Sequence, residues 1–319
     1  MSELVAVTGA TGFIGGALCA RLAAAGYRVR ALVRSARRAR ALPAAAVETV
    51  TGSLEDADSL RALAEGAAAV LHCAGAVRGA TRAQFDRVNV EGVRRLLAVL
   101  ESQPEPPRLL SLSSLAAREP QLSFYAGSKY RGEQVLAREA RKVAWIALRP
   151  PAVYGPGEKE LLPLFRTMAR GIAPVPGSPT ARFSMLFVDD LAAAVLAWLA
   201  CERPARGIYT LEDGRSGGYD WFAVAEIVSR LCGRPVRLMR IPAGLLAIPA
   251  WLNRTAARLF GYAPMLTPEK LNELRHPDWV CDSGALSEAI GWQPQVQLEE
   301  GLARTPGWPC CRASKVTKP

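Results

Sequence analysis

Two side chains in this sequence have types and spacing that could do chemistry together, Tyr125 and Lys129, in the run Tyr125-Ala126-Gly127-Ser128-Lys129. Residues four apart share one face of a helix, so the lysine ammonium can stand near the phenol and lower its pKa toward neutrality. A tyrosine tuned in that way donates or accepts a proton at pH 7. Lys129 is one of only six lysines in an arginine-rich chain, which makes its place beside a tyrosine more telling. Hydroxyls arrive just upstream, in Ser111-Leu112-Ser113-Ser114. The tyrosine–lysine spacing alone is a weak pattern, and the elements that must position it decide its meaning.

The first of those elements is N-terminal. Glu3-Leu4-Val5-Ala6-Val7 contains a short apolar run of the kind buried on both faces of a parallel sheet. Glycines spaced G-x-x-G-x-x-G follow in Thr8-Gly9-Ala10-Thr11-Gly12-Phe13-Ile14-Gly15, and a strong helix former runs from Gly16 to Ala25. Strand, glycine turn and helix together point backbone N–H groups and a helix N-terminus at a pyrophosphate. Gly9 is expected to make the tight turn, Gly12 to let the backbone approach phosphates, and Gly15 to let the helix lie close on the strand. The spacing departs from the G-x-G-x-x-G dehydrogenase fingerprint. A glycine-rich turn that binds nothing is the plainer reading, and the flanking strand and helix weigh against it.

Arg28 to Val33 alternates into a second strand that stops at Arg34. A dinucleotide fold meets the adenosine ribose there: an acid binds the 2′-hydroxyl of NAD, whereas arginine accommodates the 2′-phosphate of NADP. No acid stands beside Arg34, and Arg37, Arg38 and Arg40 follow. NADP(H) is therefore the preferred cofactor, with NAD(H) admissible; a solvated basic helix start is the alternative. Val47 to Val50 is a third strand, ending in Thr51-Gly52-Ser53-Leu54, and a helix is expected near Asp56 to Glu65. The fourth strand ends in His72-Cys73-Ala74-Gly75, whose small residues suit close passage of a cofactor, and His72 reads as strand-end packing rather than a base. A long helix from about Arg82 to Glu101 carries Asn89, Arg108 to Leu112 is the fifth strand, and Ser123-Phe124 caps the helix bearing Tyr125.

These pieces make the chain resemble the short-chain dehydrogenase/reductase superfamily, in its extended, epimerase/dehydratase-like branch. The matching runs are TGATGFIG (Thr8 to Gly15), LHCAG (Leu71 to Gly75), VNVEG (Val88 to Gly92) and LSS (Leu112 to Ser114). YAGSK (Tyr125 to Lys129), LRPPAVYGPG (Leu148 to Gly157) and FVDDLA (Phe187 to Ala192) complete the order, and IGWQPQVQLEEGL (Ile290 to Leu302) is similar to the branch's closing segment. The subgroup most resembled holds 3β-hydroxysteroid dehydrogenases and dihydroflavonol-type reductases. The resemblance implies that Tyr125 is the catalytic acid/base, and that Lys129 lowers its pKa and holds the nicotinamide ribose. It implies that Ser114 hydrogen-bonds the substrate oxygen, with Ser113 the nearby alternative, and that Asn89 shapes the fourth helix and holds a water. Cofactor contacts are implied for Gly9, Thr11, Gly12, Phe13, Ile14, Arg34, Ser53, Leu54, Cys73, Ala74, Gly75, Tyr125, Lys129, Pro151 and Val153. Two departures stand out. Family members usually carry Asp where Ser53 stands, so an adenine contact is weakened or replaced. Leu115-Ala116 occupy the places where sugar-nucleotide dehydratases carry Asp-Glu, so dehydration lacks its acid and base.

The expected architecture is α/β, a doubly wound parallel (Rossmann) sheet from residues 1–157 plus 184–212. A smaller C-terminal substrate lobe is expected from 158–183 plus 213–309, with 310–319 a disordered tail. Glu158 to Arg170 reads as an amphipathic helix, and Asp189 is expected as an N-cap. In the lobe, Ile241 to Leu252 is apolar and reads as a short, proline-broken helix. It could be ordinary core, the wall of an apolar pocket, or a surface in peripheral contact with membrane, the last favoured by Arg254 and Arg258. Arg182 is placed like a phosphate contact of the epimerases. An apolar wall gives the charges of a nucleotide sugar nothing to pair with. The leading function is therefore an NADP(H)-linked oxidoreductase interconverting hydroxyl and ketone on a small hydrophobic substrate, sterol-like or otherwise lipidic. A sugar-nucleotide epimerase with the same catalytic residues is the alternative, and a non-catalytic nucleotide-binding subunit a further one.

Composition sets the outer limits. No stretch reaches the roughly 18 unbroken apolar residues of a spanning helix, and the chain enters a strand at once, leaving no room for a signal peptide. A cytoplasmic location, with membrane association as an option, follows. Seven scattered cysteines and two histidines make no zinc pattern, so no metal and reduced thiols are expected. The net charge of +11 invites a nucleic-acid reading. Most arginines, however, lie along helices near acids, and the one cluster sits where a nucleotide phosphate would be, so no nucleic-acid partner is expected. A homodimer is the expected assembly.

Overall fold

Burial on both faces of the first strand shows what kind of sheet the chain builds. All five residues of Leu4–Thr8 are buried; Val5 and Val7 enter one core cluster and Ala6 the other. The pattern recurs at Leu71 against Val70, Leu110 against Leu109, and Ile146 against Ala147. Strands covered on both faces belong inside a parallel sheet with helices on each side. The computed structural model describes residues 3–40, 42, 47–202, 205–260, 262–264, 266–305 and 307.

In chain order the strands are β1 (Leu4–Thr8), β2 (Arg28–Val33), β3 (Val47–Thr51), β4 (Ala69–His72), β5 (Arg108–Leu112), β6 (Trp145–Arg149) and β7 (Ala152–Tyr154). They continue as β8 (Ile172–Val175), β9 (Arg182–Phe183), β10 (Met185–Phe187), β11 (Gly207–Thr210), β12 (Arg237–Arg240) and β13 (Asp278–Trp279). The helices are α1 (Phe13–Ala24), α2 (Ala36–Ala39), α3 (Ala57–Ala64), α4 (Arg82–Asn89), α5 (Glu91–Glu101), α6 (Phe124–Glu139) and α7 (Leu162–Ala169). After them come α8 (Val188–Ala200), α9 (Trp221–Cys232), α10 (Ala243–Phe260), α11 (Pro268–Arg275), α12 (Gly284–Ile290) and α13 (Leu298–Arg304). Seven strands form one sheet in the order β11-β6-β5-β4-β1-β2-β3, each pair parallel. Strand order reverses between β1 and β4, and in open α/β sheets ligands bind at the carboxyl ends beside such a switch.

The smaller lobe is built on parallel pairs β8–β12 and β9–β13. Its core gathers Phe165, Met168, Tyr219, Val228 and Leu298. Core clusters cross the division expected from sequence: Leu286, Ile290 and Trp292, assigned to the lobe, pack into the core of the large sheet, and Tyr154, Met185 and Phe187, assigned to the large domain, pack with the lobe.

Other differences have local causes. The long helix expected from Arg82 to Glu101 is two, separated at Val90, whose ψ of −61° at φ −113° ends one helix and opens the next. The helix expected from Glu158 begins only at Leu162, because the Glu158 carboxylate instead accepts from the Leu161 and Leu162 amides, at 2.8 and 3.2 Å. Asp189 is no N-cap: it lies in the first turn of α8 and pairs with Arg21 on α1. The apolar segment around Pro249 is a continuous helix of 18 residues. Cys232 is disulfide-bonded, whereas Cys19, Cys73, Cys201 and Cys281 are free thiols. The tail from 310 to 319 lies outside the described residues.

One buried group ties fold stability to pH. His72, at the end of β4, is 2% exposed, and its Nδ1 lies 2.9 Å from the Thr8 hydroxyl of β1. Burial, reinforced by the Lys129 charge, holds its pKa down to about 3 from an ordinary 6.5. The unfolded chain binds this proton below about pH 6.5 and the folded chain refuses it. The stability contributed by neutral His72 is thus complete above 6.5 and lost as pH falls toward 3. Between pH 6.5 and 5 the loss is about 2 kcal/mol. Urea unfolding of wild type and His72→Gln at both pH values checks this: the variant should lose correspondingly less stability on acidification, and equal losses would exclude His72 as the cause.

Candidate active site

The glycine turn at the switch point is set by backbone contacts. Gly9 has φ +70°, and a Cβ there would meet the Ala74 nitrogen at 2.5 Å. On Gly15 a Cβ would stand 2.3 Å from the Gly9 carbonyl oxygen. Only glycine lets β1, the β4 exit and α1 come this close. Gly12 is the N-cap of α1, which has no side-chain cap and no acid in its first turn. Partial positive charge at that helix end is therefore uncompensated by the chain itself, which suits a pyrophosphate. Thr11, Phe13 and Ile14 line the same turn, each half-buried. Arg34 lies exposed at the end of β2, and among the described residues it has no ion-pair partner. These features fit a dinucleotide.

The Tyr125 ring stands at the N-terminus of α6, where Ser123 caps the helix by accepting from the Ala126 amide at 2.9 Å. The Ser114 side chain lies close enough to the phenol to act on its proton affinity. Burial pushes the Tyr125 pKa up to about 12; Ser114 lowers it, and the Glu273 carboxylate adds to the rise. The depression by Lys129 expected from helical spacing is not what this arrangement gives. The Lys129 ammonium turns instead to the Leu112 carbonyl, 2.7 Å away. Burial lowers the Lys129 pKa to about 8, while the Glu133 carboxylate one turn further on opposes that fall. A Cβ on Gly75 would lie 3.1 Å from Nζ, so the small exit of β4 makes room for the ammonium.

The two serines point to different partners. Ser113 is buried and donates to the Glu133 carboxylate, which also receives Arg149 through Nε at 2.8 Å and Nη2 at 2.5 Å. Ser114 is the residue left facing Tyr125; its Oγ also accepts from the Ala116 amide at 3.2 Å. Asn89, 3% exposed, spends its side chain as a clamp. Its Oδ1 accepts from the Ala76 amide at 2.8 Å, and its Nδ2 donates to the Ala76 carbonyl at 3.0 Å and the Ser128 hydroxyl at 2.8 Å. It binds the β4 exit to α6 and does not touch Tyr125 through these bonds.

Other expected contacts are spread around this centre. Cys73 and Ala74 follow β4, and burial pushes the Cys73 thiol pKa up. Ser53 Oγ accepts from the Glu55 amide at 3.2 Å, closing its own turn, and Leu54 packs beneath Gly92 of α5. Pro151 and Val153 follow β6 beside the Ser114 turn, where the Leu115 amide donates to the Pro150 carbonyl at 2.9 Å. Sequence reasoning missed Glu133, Arg149 and Glu273, since a carboxylate in a mixed-charge helix reads as surface; the i,i+4 step from Lys129 to Glu133 was the available signal.

A cavity opens on the other side of Tyr125, lined by Val77, Phe85, Phe124, Pro264, Lys270 and Glu273 among others. Lys270 stands 5.6 Å over the Tyr125 ring, and the Glu273 carboxylate accepts from the Ser123 hydroxyl and from Lys270, the latter at 2.6 Å. No residue from Ile241 to Leu252 lines this cavity, and Leu245, Ile248, Trp251 and Leu252 are exposed. The large apolar side chains of the segment are therefore on the surface and outside this pocket, with Ala250 the buried contact.

Comparison with known proteins identifies the family and the fold. Residues 5–211 match the NAD dependent epimerase/dehydratase family. A ceramide reductase of Caulobacter vibrioides is 37% identical over 96% of this chain and 94% of its own length. A 2-alkyl-3-oxoalkanoate reductase of Stenotrophomonas maltophilia is 28% identical over 94% of this chain and 97% of its own. Among solved structures, the UDP-glucuronic acid 4-epimerase of Bacillus cereus, in complex with UDP-glucuronic acid and NAD, shares the fold with a TM-score of 0.74. It is 17% identical, over 95% of this chain and 97% of that one. The chain belongs to the NAD-dependent epimerase/dehydratase family, and is an NAD(P)-dependent oxidoreductase of the extended short-chain dehydrogenase/reductase type.

Proposed function

We propose that this protein reduces a ketone on a long-chain, ceramide-like lipid, using NADPH in preference to NADH. The observation that carries the reading is the position of Tyr125, beside Ser114 and lining a cavity with Val77, Phe85 and Phe124 in its wall. A phenol whose pKa lies near 12 keeps its proton at pH 7 and is suited to give it up to a developing alkoxide, the reduction direction. Ser114 would share the same oxygen by hydrogen bond. The bound nicotinamide would supply the hydride. Lys129, held by Leu112 beside Gly75, would place its positive charge next to the cofactor's ribose and the phenol. Full-length similarity to a ceramide reductase supports the lipid substrate, and the unpaired Arg34 supports the 2′-phosphate.

Activity with NADPH on a long-chain keto-amide lipid tests the site. Tyr125→Phe should lower kcat by about 10²–10⁴ while leaving cofactor binding nearly intact. Ser114→Ala should cost about 10² or more, and its effect should exceed that of Ser113→Ala. Near-normal turnover by Tyr125→Phe would exclude the phenol as the acid. Thermal stabilisation by a UDP-sugar, lost in Arg182→Ala, would point to an epimerase instead.

Arg34 governs cofactor choice. Removing a charge-assisted contact with the 2′-phosphate costs about 1.5–3 kcal/mol, roughly ten- to a hundredfold. Arg34→Ala should weaken NADP binding by that factor and leave NAD almost unchanged in calorimetric titrations; equal losses for both would refute the role.

A further inference from the structure

Helix α10 leaves a large apolar face uncovered. Leu245, Ile248, Trp251 and Leu252 are 67, 66, 53 and 54% exposed. At 100° per residue they fall within roughly 120° of arc. The opposite side of the helix carries Ala250 and Ala257, at 0 and 1% exposed, as its buried contacts. Phe260 at the end of the helix and Tyr262 beyond it add exposed apolar surface, and Met239 precedes the helix. Single exposed hydrophobes are ordinary, but a contiguous stripe with aromatic members marks a contact surface.

Charge around the stripe has one sign. From Ile227 to Pro268 the chain holds six arginines and no Asp or Glu, and from Ile241 to Leu252 it holds no charge at all. Arg230 and Arg254 are committed to Glu226, Glu299 and Glu269. Arg237 and Arg240 are exposed and have no ion pair among the described residues, and β12 delivers them immediately before α10. A Trp- and Leu-bearing helix face flanked by free arginines is the pattern of a helix lying in a bilayer interface. No helix among the described residues is long and apolar enough to cross a membrane, so any contact made by these helices is at the surface.

Position joins this face to chemistry. The chain leaves α10 through Tyr262 and Pro264 into α11, and Pro264, Thr267 and Lys270 line the cavity beside Tyr125. The Asn253 amide donates to the Leu266 carbonyl at 2.9 Å, and Arg254 pairs with Glu269, so α10 is tied to the rim of the pocket. We infer that the α10 face, with Arg237 and Arg240, docks this protein on an anionic lipid bilayer and holds the mouth of its catalytic pocket at the membrane surface. The inference rests on the lipid-reductase reading for its purpose, while its physical basis is the surface itself.

Flotation with extruded vesicles tests it. Wild-type protein should float with vesicles of phosphatidylcholine and phosphatidylglycerol, and far less with phosphatidylcholine alone or at high salt. Ile248→Glu/Leu252→Glu should abolish flotation, and Arg237→Glu/Arg240→Glu should weaken it about tenfold or more. Both pairs are exposed, and unchanged thermal unfolding would show that the fold is intact. The same variants should keep wild-type turnover on a water-soluble short-chain ketone and lose turnover on the keto-lipid embedded in vesicles. Flotation that is absent in wild type, or undiminished in the variants, overturns the inference. So does a dimer in sedimentation that the Ile248→Glu/Leu252→Glu change dissociates, since the face would then bind a second copy. Failure to reduce any ketone while flotation behaves as described would refute the catalytic reading and leave the docking surface standing.

Discussion

The buried carboxylate of Glu133 holds α6, the helix that carries Tyr125 and Lys129, in place. It receives Arg149 from the end of β6 and the Ser113 hydroxyl from the end of β5. Two neighbouring strands and α6 are thereby locked to one charge with almost no exposure to water. Removing one partner of such a pair leaves an uncompensated buried ion, at about 3–5 kcal/mol. The consequence for chemistry is positional. With Ser113 engaged below, Ser114 is the hydroxyl that reaches Tyr125, and with Glu133 one turn away, Lys129 retains a countercharge in a site whose burial pulls its pKa down.

Around that anchor, close backbone approach and side-chain clamps divide the work. Gly9 and Gly15 allow contacts that any Cβ would block, so β1, α1 and the β4 exit converge at the switch point. Asn89 then holds the β4 exit to α6 through three hydrogen bonds. Gly132 admits the other side of the same joint, since a Cβ there would lie 2.3 Å from the Asn89 carbonyl oxygen. Packing interiors are dense and respond to small shifts, so this fully satisfied amide fixes the position of the helix that carries Tyr125 and Lys129.

The smaller lobe is attached by polar contacts that cross back to the large sheet. Arg118, just after Ser114, donates to the Val280 carbonyl at 2.6 Å and to that of Asp278, and stacks 5.6 Å over Trp279. Asp190 accepts from the Gln295 and Val296 amides at 3.1 and 2.8 Å. Ser123 and Glu273 join the cap of α6 to α11. The segments carrying Ser114 and Tyr125 are therefore each bonded to the lobe that lines the cavity beside Tyr125.

Sequence alone determined whatever depends on local spacing. Alternating or continuous apolar runs specified the strands, glycines at fixed intervals specified the turn, Ser123 specified the start of α6, and the Tyr125–Lys129 step placed both on one helix. Those signals lie within a few residues of each other, and the physics they report is local. What the tertiary structure decided came from residues distant in the chain. The choice between Ser113 and Ser114 waited on Glu133 and Arg149. The direction of the Tyr125 pKa waited on burial and on Glu273, and Lys129 was drawn to a carbonyl of β5. Asp189 and Asn89 took an ion pair and structural hydrogen bonds that their sequence neighbours do not announce. The apolar run from Ile241 to Leu252 shows the limit most clearly. Hydrophobicity reported that it avoids water, but only packing could say which surface it shares, and in this fold no other described part of the chain covers its exposed face.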